Sequence, residues 1–283
     1  MIAASARSAA PGRRPWTFYM LGGLFGLYLL FLYGPMIVIY VLSFQGPNGG
    51  VTFPMNGVSL IWFRDIFQVG QMGYIPSTFE RSVILALLVS ALTTAMSVAA
   101  GFGFRRRFPG SVLVFYLAVA SLVMPSLLIG CGIGLEFRFL GWQTGVFTSA
   151  LGAQLTWTLP FGMFAMFAIV NRFNRSYDEA ASDLGASAWQ RLRYVTLPIL
   201  LPGIIGVAMG AFTLSYDEYA RTTLTSGTQN TLPLEIYALI SSATSPVLFA
   251  IGTLTTVVSF AVIGGTLWVI FRMQRRRASS RPA

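Results

Sequence analysis

The sequence predicts an all-α integral membrane protein with six transmembrane helices. Apolar residues make up 55% of the 283-residue chain and charged residues only 10%, whereas soluble domains carry about 25% charged residues. Short clusters of arginine separate the long apolar stretches. Because so few charges cannot cover a soluble globule of this size, lipid must be the solvent for much of the chain.

Six apolar stretches are each predicted to form one span. A helix needs about 20 largely apolar residues to cross the roughly 30 Å hydrocarbon core of a bilayer. Five of the stretches meet that length, and the fifth in order is shorter and needs an extension. The predicted spans are Phe18–Phe44, Val83–Phe104, Val112–Leu135, Val146–Val170, Leu200–Leu214 with an extension, and Val247–Phe271.

The placement of arginine predicts the orientation of these spans. All 19 basic residues are arginine, and 15 of them lie in the two tails and in the second and fourth connections. Connections rich in Lys and Arg stay in the cytoplasm. Residues 1–15 and 272–283 are therefore predicted to be cytoplasmic tails, the second of them basic, around a transmembrane domain of residues 16–271.

The residue types that are absent exclude several kinds of chemistry. Without Lys the chain has no phosphate-binding loop of the Gly-Lys-Ser/Thr type, and without His it has no Ser–His dyad or histidine metal site. The net charge of +10 does not indicate nucleic-acid binding, because the arginines do not form one basic face. We therefore expect no catalysis, no metal and no cofactor in this chain.

The fourth connection, residues 171–198, is too long for a simple turn and predicts two short helices outside the membrane. Ser176 is expected to cap the first, whose first turn carries two acidic residues. Gly185 permits a turn, and Ser187 is expected to cap the second helix. Pro198 is expected to mark the start of the next span. The product would be a rigid projection facing a partner.

This connection resembles the signature of permease subunits of binding-protein-dependent ABC importers. That signature is Glu-Ala-Ala, three residues, Gly, nine residues, and then Ile, any residue and Leu-Pro. The one departure here is Val195 in place of Ile. The residues that match are Glu179, Ala180, Ala181, Gly185, Leu197 and Pro198.

The resemblance implies the type I (MetI-like) ABC importer permease fold with six spans and both termini cytoplasmic. It identifies the connection as a coupling helix that docks on an ATPase subunit, where Asp183 joins the six matching residues. The implied partners are two ATPase subunits that hold ATP and Mg, a second, dissimilar permease and a periplasmic substrate-binding protein. The chain itself would form half of the translocation path.

The fifth span suggests where a substrate passes. Asp217 lies 15 positions after Pro202, which corresponds to about 22 Å of helix and is short of the bilayer core. Asp217 is therefore expected near the outer apolar boundary, on the same helical face as Gly203. Gly206 and Gly210 on that face form a pair that permits close helix packing. An ionisable group at this depth is a functional candidate.

Tyr216, Asp217, Glu218 and Tyr219 bring two carboxylates and two aromatic rings to the external mouth. Such a set suits a cation, since carboxylates supply charge and rings supply cation–π contacts. The alternative is that Asp217 and Glu218 pair with Arg221 or simply lie at the aqueous interface. Both interpretations stay open at the level of sequence.

The same region indicates which group of ABC importer permeases the chain resembles. The stretches 212–218 and 232–237 (FTLSYDE and LPLEIY) resemble the second permease subunit of spermidine/putrescine importers. This implies uptake of a polyamine, although relatives in the group handle other small substrates, such as amino acid derivatives, opines or phosphonates. The alternative functions are an ion-coupled secondary transporter, an ion channel and a membrane scaffold. The central spans lack ion-coupling groups, no selectivity-filter sequence stands out, and the coupling-loop signature disfavours all three.

Overall fold

The computed structural model describes residues 15–67, 75–106, 108–242 and 245–279. The predicted N-terminal tail lies outside these ranges except for Pro15, as do Arg107 and the last four residues of the predicted C-terminal tail. The α-helices are α1 (Trp16–Leu42), α2 (Ile61–Asp65), α3 (Ile75–Gly103), α4 (Ser111–Val123), α5 (Ser126–Phe139), α6 (Leu151–Asn171), α7 (Ser176–Asp183), α8 (Ala188–Arg191), α9 (Leu197–Tyr216), α10 (Leu232–Ser242) and α11 (Pro246–Ser279).

Among the described residues, six segments are long and apolar enough to span a membrane when one bent pair of helices counts as a single span, which confirms the predicted all-helical membrane fold. The orientation of the termini stays a prediction. Two of the continuous spans contain a one-turn π-helix. Val146–Ala150 leads into α6, and Leu192–Thr196 joins α8 to α9. The continuous spans are Trp16–Leu42, Ile75–Gly103, Val146–Asn171, Ala188–Tyr216 and Pro246–Val269.

The third span was predicted as one helix, Val112–Leu135, and this is wrong. It consists of α4 and α5, whose axes differ by 109°. The break falls at Met124, which is extended with ψ 136°, the conformation that a following proline imposes. Pro125 also has no N–H to continue the hydrogen-bond ladder of α4. α5 therefore leaves the direction of α4 and is a separate element.

The fifth span is longer than predicted, and the argument from its shortness is wrong. Helical structure runs from Ala188 to Tyr216, 29 residues, or about 43 Å. Pro198 and Pro202 both lie inside this continuous helix, and the π-helical turn Leu192–Thr196 directly precedes α9. Pro198 therefore does not separate the fourth connection from the span.

α3 forms the centre of the fold and packs on α6 and α9, which also pack on each other. α4 packs on α6, and α1 packs on α11 at the periphery. Glycines of α9 permit its close approach to α6: a Cβ on Gly203 would lie 2.8 Å from Ile169, and one on Gly210 would lie 2.8 Å from Phe161. Gly206 faces open space. The predicted Gly206–Gly210 pair is wrong, and the packing face contains Gly203 and Gly210.

Candidate functional site

The fourth connection folds as α7, a turn and α8. The predicted cap of α7 is wrong, because Ser176 is already its first helical residue. The Asn174 carboxamide oxygen accepts a hydrogen bond from the Ser176 N–H instead (3.0 Å). Two acidic residues, Asp178 and Glu179, do lie in the first turn of α7. There they face the positive end of the helix dipole.

The turn and the second helix form as predicted. Gly185 has φ +82°, a conformation that glycine adopts without steric cost. Ser187 caps α8 in a reciprocal capping box: its Oγ accepts from the Gln190 N–H (3.3 Å), and Gln190 Oε1 accepts from the Ser187 N–H (2.7 Å). An ion pair between Arg191 and Asp178 (3.7 Å) links the two short helices. The connection is therefore a defined structure.

The residues that the resemblance assigns to the ATPase contact lie at two places in this projection. One is its tip, where α7 ends in the turn, and the other is its base, where α9 begins. Glu179, Ala180, Asp183 and Gly185 are exposed at its tip, and Ala181 is half-buried. Leu197 and Pro198 are half-buried at its base, where α9 begins. Below the base lies an apolar cluster that anchors the projection to the membrane domain; its members are Met166, Val170, Phe173, Leu200 and Val207.

Exposed apolar side chains surround the signature residues. Leu184 is 89% exposed, and Trp189 and Tyr194 are also exposed. Apolar groups of this size gain free energy when a partner removes them from water. Helical spacing in the sequence indicates Leu184 as an apolar contact, but it does not single out Trp189 or Tyr194. The signal was available in the short helices, which carry large apolar side chains outside any predicted span.

At the other end of α9, the structure separates the two predicted carboxylates. Asp217 is exposed, whereas Glu218 is only 7% exposed. Glu218 Oε2 lies 3.8 Å from Arg221 Nη1, and Glu218 Oε1 accepts a hydrogen bond from the Arg221 backbone N–H (2.7 Å). Glu218 is thus engaged with Arg221, as the alternative interpretation allowed. The pair does not act as one acidic site.

Asp217 lines a cavity of about 290 Å³ between the end of α9, α10 and α11. Three tyrosines share its wall: Tyr216, Tyr219 and Tyr237, the last two with ring centroids 4.8 Å apart. The Tyr216 hydroxyl is buried and has no hydrogen-bond partner among the described residues. The cavity walls remove part of the water around Asp217 and raise the pKa of its carboxyl. The arrangement offers one carboxylate and several π faces to a small ligand.

A buried polar network that the sequence did not reveal joins α6 and the π-helix before it to the end of α9 and the turn that follows α9. The Gln154 side chain donates to Thr222 Oγ1 (2.9 Å) and accepts from the Ser215 hydroxyl. Ser149 Oγ donates to the Thr225 carbonyl (2.6 Å). These partners lie more than 60 positions apart in the chain. No local pattern therefore predicts them.

Comparisons with known proteins agree with the fold. A family model described as the inner membrane component of binding-protein-dependent transport systems matches residues 91–275. The spermidine/putrescine transport system permease protein PotC of Escherichia coli (strain K12) is 30% identical over 247 residues, which is 86% of this chain and 90% of that protein. The putrescine transport system permease protein PotI of the same strain is 28% identical over 275 residues, 94% of each chain. A crystal structure of a bacterial alginate ABC transporter, solved with its alginate-bound periplasmic protein, contains a chain of the same fold, with TM-score 0.64 and 18% identity over 92% of this chain and 94% of that one.

Proposed function

The chain belongs to the family of inner membrane components of binding-protein-dependent transport systems and is a permease subunit of an ABC importer; from this premise we propose that it imports a small organic cation of the polyamine class. The observation that carries the proposal is the cavity in which Asp217 meets three tyrosine rings. The names of the two permease relatives point to the same substrate class. A phosphonate fits this cavity poorly, because its charge would face the Asp217 carboxylate.

The number of free carboxylates in the cavity indicates how many ammonium groups of the substrate this chain can bind. Glu218 is engaged with Arg221, so Asp217 is the one charged group among the described residues that line the cavity. One carboxylate with aromatic neighbours suits one ammonium group. A second ammonium group of a diamine would be met by the second, dissimilar permease, which forms the other half of the path.

The cytoplasmic projection supports the proposal that this chain binds an ATPase subunit. One of the two ATPase subunits, which bind ATP and Mg, would receive the tip around Glu179 and Gly185 in a surface groove. Leu184 would add apolar contact there. The chain is a non-catalytic subunit of the inner membrane with both termini in the cytoplasm, and a periplasmic protein delivers the substrate. Motion of the ATPases would then alternate the spans between inward-facing and outward-facing states.

Reconstitution tests this function directly. We expect the tagged chain to copurify with an ATPase and a second permease from its native membrane. In proteoliposomes this complex should take up labelled spermidine or putrescine only with ATP and the binding protein. Uptake by the chain alone, without ATP, would instead establish an ion-coupled secondary transporter or a channel and overturn the proposal.

The role of Asp217 is tested by Asp217→Asn, which removes the charge and keeps the size. We expect the KM for the polyamine to rise about tenfold, because a bond to a charged group contributes roughly 1.5–3 kcal/mol. Association with the ATPase should not change. Asp65→Asn, at the end of α2 and away from the residues that line the cavity, is the matched control. An unchanged KM in Asp217→Asn would remove this residue from the substrate path.

A further inference from the structure

We infer that α5 and the turn formed by residues 217–226 make one rigid unit, and that Arg221 is the positioning residue that fixes Asp217 at the cavity. α5 is the half of the third span that follows the bend at Pro125. The turn follows α9 and begins with Asp217. Two independent sets of contacts join these elements, one through the Arg221 side chain and one through glycines of α5.

Arg221 is 3% exposed, and its guanidinium reaches three elements. Its Nη1 donates to the Oγ of Ser126, the first residue of α5 (2.8 Å). Its Cζ lies 5.1 Å from the centroid of the Trp157 ring on α6, and its ion-pair partner is Glu218 in the turn itself. A buried cation is costly unless such partners surround it. The side chain therefore fastens the turn to the start of α5.

The glycine face of α5 provides the second set of contacts. A Cβ on Gly130 would lie 2.8 Å from the Arg221 carbonyl oxygen, and one on Gly134 would lie 2.7 Å from the Leu224 carbonyl oxygen. Both separations are shorter than an ordinary van der Waals contact. The backbone of α5 thus lies directly on the carbonyls of the turn. Gly132, between these two glycines in sequence, faces open space.

The turn has its own internal hydrogen bonds and moves as a body. Thr225 Oγ1 donates to the Arg221 carbonyl (2.8 Å), and the Ser226 N–H donates to the Thr222 carbonyl (2.9 Å). Asp217 joins this turn to the end of α9, where its N–H donates to the Thr213 carbonyl (3.2 Å), so it is the residue through which a displacement of α5 and the turn would reach the cavity. The bend at Pro125 frees α5 from the direction of α4. α5 and the turn therefore shift together at the external mouth when the spans change arrangement.

Cys131 is a natural probe of this unit, because it is the single cysteine of the chain and is exposed on α5. A nitroxide attached there, in an assembled transporter whose other subunits lack cysteine, reports the mobility of α5 by electron paramagnetic resonance. We expect Gly130→Ala and Arg221→Gln to increase nitroxide mobility, and Gly132→Ala to leave it unchanged. Ser126→Ala, which removes one hydrogen bond, should give a smaller increase and covers the case in which Arg221→Gln fails to assemble.

Uptake gives the second readout, and in this respect the inference rests on the proposed function. Arg221→Gln should raise the KM for the polyamine roughly tenfold, because it leaves Glu218 buried without its partner and displaces Asp217. Arg221→Lys, which keeps the charge, should restore part of the affinity. Unchanged mobility in Gly130→Ala and Ser126→Ala would overturn the rigid unit, whatever the substrate. Increased mobility in a transporter whose wild type takes up no polyamine would support the unit and overturn only the proposed substrate.

Discussion

A transporter that carries Gly185→Val in this chain is expected to insert and assemble but to lose most of its ATP-driven uptake. Gly185 has φ +82°, and a Cβ there meets nothing within 4 Å. The substitution therefore causes no clash and acts through backbone strain. Such strain is on the order of 1–3 kcal/mol, which lowers the population of the native turn roughly tenfold to a hundredfold. The tip of the projection would then no longer match its groove on the ATPase.

Gly110→Val is the matched control for this experiment. Gly110 has φ +86°, a Cβ there also meets nothing within 4 Å, and the residue lies in the second connection, which is predicted to be cytoplasmic. The strain is the same, but the site is not on the projection. We expect ATP-dependent uptake in proteoliposomes to fall below about a tenth of wild type for Gly185→Val and to stay near wild type for Gly110→Val. Equal losses in both variants, or normal uptake in both, would contradict a coupling role for the turn.

The projection was largely predictable because its determinants are local. A turn glycine and a Ser–Gln capping box act over three or four residues, so Gly185 and Ser187 were identified from sequence. The failure at Ser176 has an equally local cause, since Asn174 two positions earlier has the same capping chemistry. Sequence alone does not decide which of two neighbouring polar side chains accepts the bond.

The spans were predictable in number but not in shape. The hydropathy of a stretch is the sum over its own residues, so each span can be identified from its sequence alone. A proline inside such a stretch has two outcomes, and tertiary contacts choose between them. Pro125 ends α4 at a sharp bend, whereas Pro160 and Pro202 remain inside helices that pack closely on their neighbours. The bend places Ser126 against Arg221, a contact between residues 95 positions apart.

The end of α9 shows the same limit for charged groups. Asp217 and Glu218 are adjacent and chemically alike, yet one lines a cavity and the other binds Arg221. Helical spacing places residues on a face only while the helix continues, and α9 ends at Tyr216. Beyond that point the direction of each side chain is set by the turn. The conformation of this turn depends on contacts with α5 and α6, and no local sequence pattern encodes those contacts.

Gly162→Val is expected to cause the largest loss of folded protein, because Gly162 lies where three central helices meet. It is on α6, and a Cβ there would lie 2.9 Å from Thr93 of α3 and 3.2 Å from Val207 of α9, with the Ser97 hydroxyl also in contact. None of these neighbours is the far end of a long flexible side chain. A valine would therefore push α6 away from α3 and α9. This would also strain the hydrogen bond between the Thr93 and Thr158 hydroxyls (2.8 Å).

Overpacking of this kind costs about 1–3 kcal/mol or more, which lowers the Tm by roughly 3–10 °C in a chain of this size. Gly152→Val is the matched control, since Gly152 is on the same helix and a Cβ there meets nothing within 4 Å. Both substitutions change helix propensity equally, so their difference isolates the packing. The measurement is the fraction of detergent-extracted permease that stays monodisperse on size-exclusion chromatography after heating. If both variants melt at the wild-type temperature, α3, α6 and α9 do not pack through Gly162; if both fall equally, the loss comes from the valine itself and not from this junction.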